Sequence, residues 1–240
     1  MKVAIIGASR SIGKAFVEHF LKSWETKKLY LFSRSDINFD DVRVINHFID
    51  IEDEHSIEKA AREIPDNDYL DYTIITTGVL FTHNITPEKS IKDLSYEKFN
   101  KLYAVNTIGP ALIAKHFIQK SNKDSKSIFA VLSARVGSIS DNILGGWYSY
   151  RCSKSALNML IKNLSIEMRR RNPNLIAVSL HPGTVKSKLS EPFSSTNSRT
   201  TSNNNFTADY SVSKIINVLE NLTTEDSGKL FAWDGKEIDF

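Results

Sequence analysis

Tyr150 and Lys154 stand four residues apart in the run YRCSK. On a helix that spacing places both side chains on one face, about one turn from each other. An ammonium beside a phenol favours the phenolate, so Lys154 is expected to draw the Tyr150 pKa down from about 10 toward neutrality. The hydroxyl could then pass a proton to or from a substrate oxygen. A solvated helix face can carry the same pair by chance. What gives it weight is a glycine loop upstream, inside a chain that alternates strand and helix patterns.

That loop is Gly7-Ala8-Ser9-Arg10-Ser11-Ile12-Gly13. It follows KVAII at 2–6, an apolar, branched run that reads as a buried parallel strand. It precedes a helical pattern at 14–24, with Ala15, Phe16, Phe20, Leu21 and Trp24 on one stripe. Strand, glycine turn, helix is the context of a dinucleotide loop, although a plain strand-to-helix turn has the same outline. Glycines let the backbone approach phosphate oxygens, and a helix N-terminus offers free N–H groups. Ser9 and Ser11 could add hydroxyl donors. A second strand at 29–33 ends at Arg34. An acidic residue there would bind a ribose 2′-hydroxyl, whereas Arg accommodates a 2′-phosphate, and Arg10 in the loop could join it. The expected cofactor is therefore NADP in preference to NAD.

The remaining elements must bring these two stretches together. Residues 42–50 read as a third strand ending at Asp50, 51–64 as an amphipathic helix, and 69–78 as a fourth strand closing on Gly78. Ligands of open parallel sheets bind beyond the strand C-termini, so Asp50, Thr76, Thr77 and Gly78 become cofactor neighbours. Residues 95–104 and 105–121 read as two helices or as one long bent helix. Asn106 falls within their apolar face, where it either bends the helix or serves as a polar strut under the site. A fifth strand at 127–133 leads into a Gly/Ser-rich loop at 134–147, and a long helix at 148–171 carries Tyr150, Cys152 and Lys154. Cys152 is expected to be a small packed residue. A sixth strand at 174–183 ends in His181-Pro182-Gly183. Residues 194–205 contain no hydrophobic side chain, so a mobile substrate lid at 188–209 or a disordered surface insertion is expected. A helix at 208–222 and a strand at 229–233 complete the pattern.

Composition narrows the function classes. The 240 residues are 41% hydrophobic and 25% charged, which suits one globular domain spanning 1–240. A net charge of +3 is too mild to point to nucleic acid or an anionic membrane surface. One cysteine allows no internal disulfide, and a reducing, cytoplasmic location is expected. No apolar run approaches a membrane span. The six His residues are scattered, without HExxH or CxxC spacing, so no metal site is expected.

Taken together, these residues resemble the short-chain dehydrogenase/reductase family. Within it they resemble the C-factor and Sniffer-like carbonyl reductase group, through GSISDNILGGWYSYRCSKSALNML. The resemblance implies a single Rossmann-type α/β domain, doubly wound, with a seven-stranded, mostly parallel sheet and helices on both faces. It assigns Gly7, Ser9, Arg10, Ile12 and Gly13 to the cofactor loop, with Ser11 among them. It also assigns Arg34 to NADP selection, Asp50 and Thr76–Gly78 to the adenine side, and Pro182, Gly183, Val185 and Ser187 to the nicotinamide side. Asn106, Tyr150 and Lys154 match three of four catalytic positions. The Tyr acts there on the substrate oxygen, the Lys lowers its pKa and binds the nicotinamide ribose, and the Asn orders a relay water. Three positions depart from the pattern. Ile6 replaces a usual Thr, Ser11 replaces the middle glycine, and Ala134 falls where the catalytic serine is expected, leaving Ser133 or Ser138 to supply a hydroxyl. The implied activity is NADP-dependent reduction of a carbonyl or oxidation of an alcohol, in a homodimer or homotetramer. The alternatives are a cofactor-binding signalling protein of C-factor type with little turnover, or a structural subunit.

Overall fold

In the computed structural model, residues 1–185 and 206–240 are described. The branched apolar runs form eight strands, and all but the edge runs at 44–48 and 237–238 are buried on both faces, as a parallel sheet covered by helices requires. They are β1 Lys2–Ile6, β2 Lys28–Ser33, β3 Val44–Phe48, β4 Tyr72–Ile75, β5 Ser127–Leu132, β6 Leu175–His181, β7 Leu230–Ala232 and β8 Glu237–Ile238. The spatial order is β3-β2-β1-β4-β5-β6-β7-β8, parallel throughout except for β7–β8. The sheet has eight strands where seven are expected. The extra one is two residues long and folds back through a turn at Gly235, whose φ is 83°. A strand that short carries no periodicity to read in advance.

The helices are α1 Ser11–Lys22, α2 Glu54–Arg62, α3 Tyr96–Tyr103, α4 Gly109–Phe117, α5 Tyr148–Arg171 and α6 Ala208–Asn221. Alternate residues of each strand feed two separate cores. On one face α1 and α6 bring Phe16, Val17, Phe20, Ile215 and Leu219 against Val3, Ile5 and Val178. On the other, α2, α4 and α5 bring Ile57, Phe117, Leu157 and Ile161 against Ala4, Ile6 and Phe129. The chain builds β1, β2 and β3 outward and then crosses back to lay β4 beside β1. The strand order therefore reverses at the C-terminal ends of β1 and β4, where a crevice opens in folds of this kind.

Residues 96–117 form one bent helical run, in which a π-helical turn, Ala104–Ile108, joins α3 to α4. Two side-chain expectations fail. Trp24 is 89% exposed, because α1 ends at Lys22 and Ser23 is extended, which turns the stripe's last residue away from the core. Cys152 is exposed on α5 rather than packed. Ser187 and most of the proposed 188–209 lid lie outside the described residues.

Candidate active site

Tyr150 and Lys154 both fall in the first two turns of α5 and are 8% and 3% exposed. The Lys154 ammonium donates to the Leu132 carbonyl at 2.8 Å, at the C-terminal end of β5, and lies 6.0 Å from the Tyr150 ring centre. Asn106 sits in the π turn with no exposed surface. Its Oδ1 accepts from the Val79 amide at 2.8 Å, while its Nδ2 donates to the Val79 carbonyl at 2.8 Å and to Ser153 Oγ at 3.0 Å. Ser153 Oγ in turn donates to the Tyr150 carbonyl at 2.8 Å, and Thr107 Oγ1 donates to the Ser153 carbonyl at 2.8 Å. A single extra residue in a helix thus lets Asn106 lock the loop after β4 onto the turn of α5 that carries Tyr150. Gly78 closes the group. A methyl there would stand 3.5 Å from Lys154 Nζ and 3.6 Å from Asn106 Oδ1.

The electrostatics reverse the expected direction for the tyrosine. Burial pushes the Tyr150 phenol up to about 12, and burial lowers Lys154 to about 7. Both charged forms are desolvated, and at 6.0 Å from the ring the ammonium does not offset that penalty. Tyr150 therefore holds its proton at neutral pH, the state of a proton donor.

The serines proposed to substitute at position 134 are committed elsewhere. Ser133 is buried and donates to Asn158 Oδ1 at 2.7 Å. Ser138 donates to the Asp239 carbonyl. Each hydroxyl has one proton to give, and in the structure it goes to a protein acceptor. Ala134 instead packs against the apolar cluster that holds Tyr150, Leu80, Ile85 and Leu102, and it contributes a methyl group there.

The cofactor loop passes a geometric test. A methyl on Gly13 would lie 2.2 Å from the Gly7 carbonyl, and Gly7 adopts φ 90° against Thr76 and Thr77, so side chains are excluded where a pyrophosphate backbone would approach. Arg10, at the N-cap of α1, makes no side-chain cap, and the first turn carries no acid, which leaves its N–H groups for an anion. The buried Thr77 Oγ1 has no partner among the described residues. Ser9 and Arg10 line a cavity of about 430 Å³ together with Lys14, Ser35, Asn38 and two acids, Glu18 and Asp36. Ser11 and Ile12 begin α1 beside it. Arg34 stands apart from that lining, with its guanidinium 4.0 Å from Glu52. Asp50 accepts from the Glu52 amide at 3.1 Å. Beyond β6, Ser211 Oγ donates to the Pro182 carbonyl at 2.6 Å, the Phe206 amide donates to Thr184, and Val185 bridges Phe206, which fixes the run from Pro182 through Gly183 to Val185.

Several neighbours were not singled out from the sequence. Lys14 directly follows the glycine loop and could have been read as a phosphate ligand. Ser35, Ser153 and Asn158 carry no local signal, since each acquires its place by packing. Among the described residues, no group of three or more His, Cys, Asp and Glu side chains could hold a metal, and no helix is long and apolar enough to cross a membrane.

The chain is similar to known proteins in sequence and in fold. The family model for short chain dehydrogenase matches residues 1–198. C-signal from Myxococcus xanthus is 28% identical over 149 residues, covering 62% of this chain and 82% of that protein. The NADPH-bound carbonyl reductase from chicken fatty liver superposes with a TM-score of 0.83 at 26% identity, covering 100% of this chain and 98% of that one. Carbonyl reductase Sniffer of D. melanogaster shares the fold with a TM-score of 0.85 at 22% identity, covering 100% and 99%. With the family model matching residues 1–198 and the whole fold superposing on a solved carbonyl reductase, the chain belongs to the short-chain dehydrogenase/reductase family of NAD(P)-dependent oxidoreductases.

Proposed function

We propose that the chain is an NADP-dependent carbonyl reductase. The observation that carries the reading is a buried Tyr150 one helix turn from Lys154, with Asn106 tied to the same turn through Ser153 and Gly78 beside both, at the reversal of the sheet. When bound, NADPH would supply the hydride. Everything else is done by the chain: Tyr150 donates a proton to the substrate oxygen, and the apolar cluster of Leu80, Ile85 and Leu102 keeps water from competing with it. Lys154, anchored on Leu132, faces the same space, and an anionic cofactor there would restore its charge and make Tyr150 a stronger donor. Asn106 keeps the two walls of the site in register. The reverse reaction, oxidation of an alcohol, would use the same groups with the proton moving to Tyr150.

The preference for NADP rests on Arg10, Lys14 and Ser35 around one cavity and on Arg34 in place of an acid at the end of β2. Gly7, Ser9, Ser11, Ile12 and Gly13 would cradle the pyrophosphate. Asp50, Thr77 and Gly78 would line the adenine and ribose side, and Pro182, Gly183, Val185 and Ser187 the nicotinamide side. The solved carbonyl reductase from chicken fatty liver carries NADPH. A small-molecule carbonyl as substrate, a cytoplasmic location and a homodimer or homotetramer belong to the same reading.

The test is Tyr150→Phe. Turnover of NADPH with carbonyl substrates should vanish, while NADPH still raises the melting temperature by binding the native state. Full activity in that variant would refute the mechanism. Ala134 motivates a second reading, a cofactor-binding signalling protein with little turnover, since a methyl group stands where the catalytic serine is expected and C-signal is among the relatives. NADPH binding without turnover across a broad carbonyl panel would favour that reading.

A further inference from the structure

We propose that Glu88, in the loop between β4 and α3, is a positioning residue for Tyr150; the inference rests on the carbonyl-reductase reading of the same site. The entry to α5 is an unusual piece of backbone. Gly145, Gly146 and Trp147 are three consecutive residues in the left-handed region, with φ of 63°, 66° and 50°. For a residue as large as Trp147 that conformation is strained and persists only where its surroundings impose it. Trp147 is also the N-cap of α5, yet its side chain caps nothing, and the first turn carries no acidic residue. The first N–H groups of a helix need partners from outside it.

Glu88 supplies one, for the Ser149 amide, from 61 residues away in the chain. It has no exposed surface. Its carbonyl accepts the Trp147 amide at 2.6 Å. Its carboxylate accepts the Ser149 hydroxyl and, at 3.4 Å, the Ser149 amide. One residue therefore grips α5 on both sides of Tyr148, and the second grip is on the immediate neighbour of Tyr150. The strained Trp147 in turn sets its indole steeply inclined to the Tyr150 ring, with centroids 6.3 Å apart and planes at 71°. Both walls that orient the phenol, the helix turn beneath it and the ring beside it, are held by Glu88. An acidic side chain at this place also complements the positive end of the α5 dipole.

A plain helix cap would change stability alone, whereas a positioning residue changes turnover of the folded protein. Glu88→Ala and Glu88→Gln should be compared with the parent well below their melting temperatures, measuring kcat, the NADPH dissociation constant and the carbon-13 resonance of the Tyr150 ring, assigned with Tyr150→Phe. For Glu88→Ala the expected result is a loss of about tenfold or more in kcat, with NADPH affinity within about twofold of the parent and a displaced Tyr150 resonance, since small misplacements of reacting groups are costly. Glu88→Gln keeps an oxygen for Ser149 and should recover part of the rate. Parent-like kcat and an unmoved resonance in Glu88→Ala would overturn the proposal, whatever happens to the melting temperature. Should that variant fail to fold, Ser149→Ala removes one grip only and is read by the same criteria. If the parent itself turns over no carbonyl, the carbonyl-reductase reading fails, and the Tyr150 resonance still decides the role of Glu88.

Discussion

Replacing Ala134 by Ser restores a hydroxyl at the edge of the Tyr150 cluster. Residue 134 is extended, with φ −154° and ψ 149°, and it is half-buried, so the added oxygen meets neither backbone strain nor full desolvation. Its neighbours are apolar: Tyr150, Leu80 and Leu102 form the cluster, with Val136 and Trp147 packed on it. The new hydroxyl would add a donor at the edge of this apolar cluster, where a substrate oxygen could accept from it. Deleting one such preorganised donor costs about 10²–10³ in kcat, or about 2.7–4 kcal/mol, in enzymes built around it. Restoring it without the supporting contacts should recover a fraction, about tenfold in kcat. The assay is NADPH consumption with an apolar ketone, repeated with deuterated NADPH to confirm that hydride transfer limits the rate. Unchanged kcat, with a full isotope effect and an unaltered NADPH dissociation constant, would show that position 134 does not face the reacting oxygen.

Lys154 makes stability depend on pH in a defined direction. Its folded pKa of about 7 lies below its ordinary value of 10.5, so between those pH values the unfolded chain binds more protons and the fold gains stability as pH rises. Urea unfolding at pH values between 7 and 10 should show that gain, of a few kcal/mol, and Lys154→Met should flatten it; an unchanged slope would mean that Lys154 is not desolvated as described. Arg10→Ala and Lys14→Ala should each weaken NADPH binding by about 10–100-fold, the worth of a charge-assisted hydrogen bond, and leave NADH binding nearly unchanged. Titration calorimetry with both cofactors checks this, and equal losses for the two would remove the 2′-phosphate from that cavity.

Much of the framework could be read locally. KVAII, the glycine turn and the amphipathic stripe of α1 are neighbours in the chain, and their periodicities require no distant partner. Helix α5 was legible from Tyr148 to Arg171 for the same reason, and with it the placing of Tyr150 and Lys154 on one face. The two-residue β8 and the early end of α1 at Lys22 escaped because short edges and helix ends are decided by contacts rather than by pattern.

The chemical character of the site belongs to the tertiary structure. Spacing puts an amine near a phenol, but the sign of the Tyr150 shift depends on how many apolar neighbours exclude water, which only the packed cluster decides. Which hydroxyl is free follows from partners far along the chain: Asn158 for Ser133, and the Asp239 carbonyl for Ser138. Asn106 finds Val79, and Glu88 finds Ser149, because the sheet order brings the loop after β4 against α5. Local sequence sets which groups share a helix face; burial and long-range hydrogen bonds set their charge and aim, because both depend on atoms that become neighbours only when the chain folds.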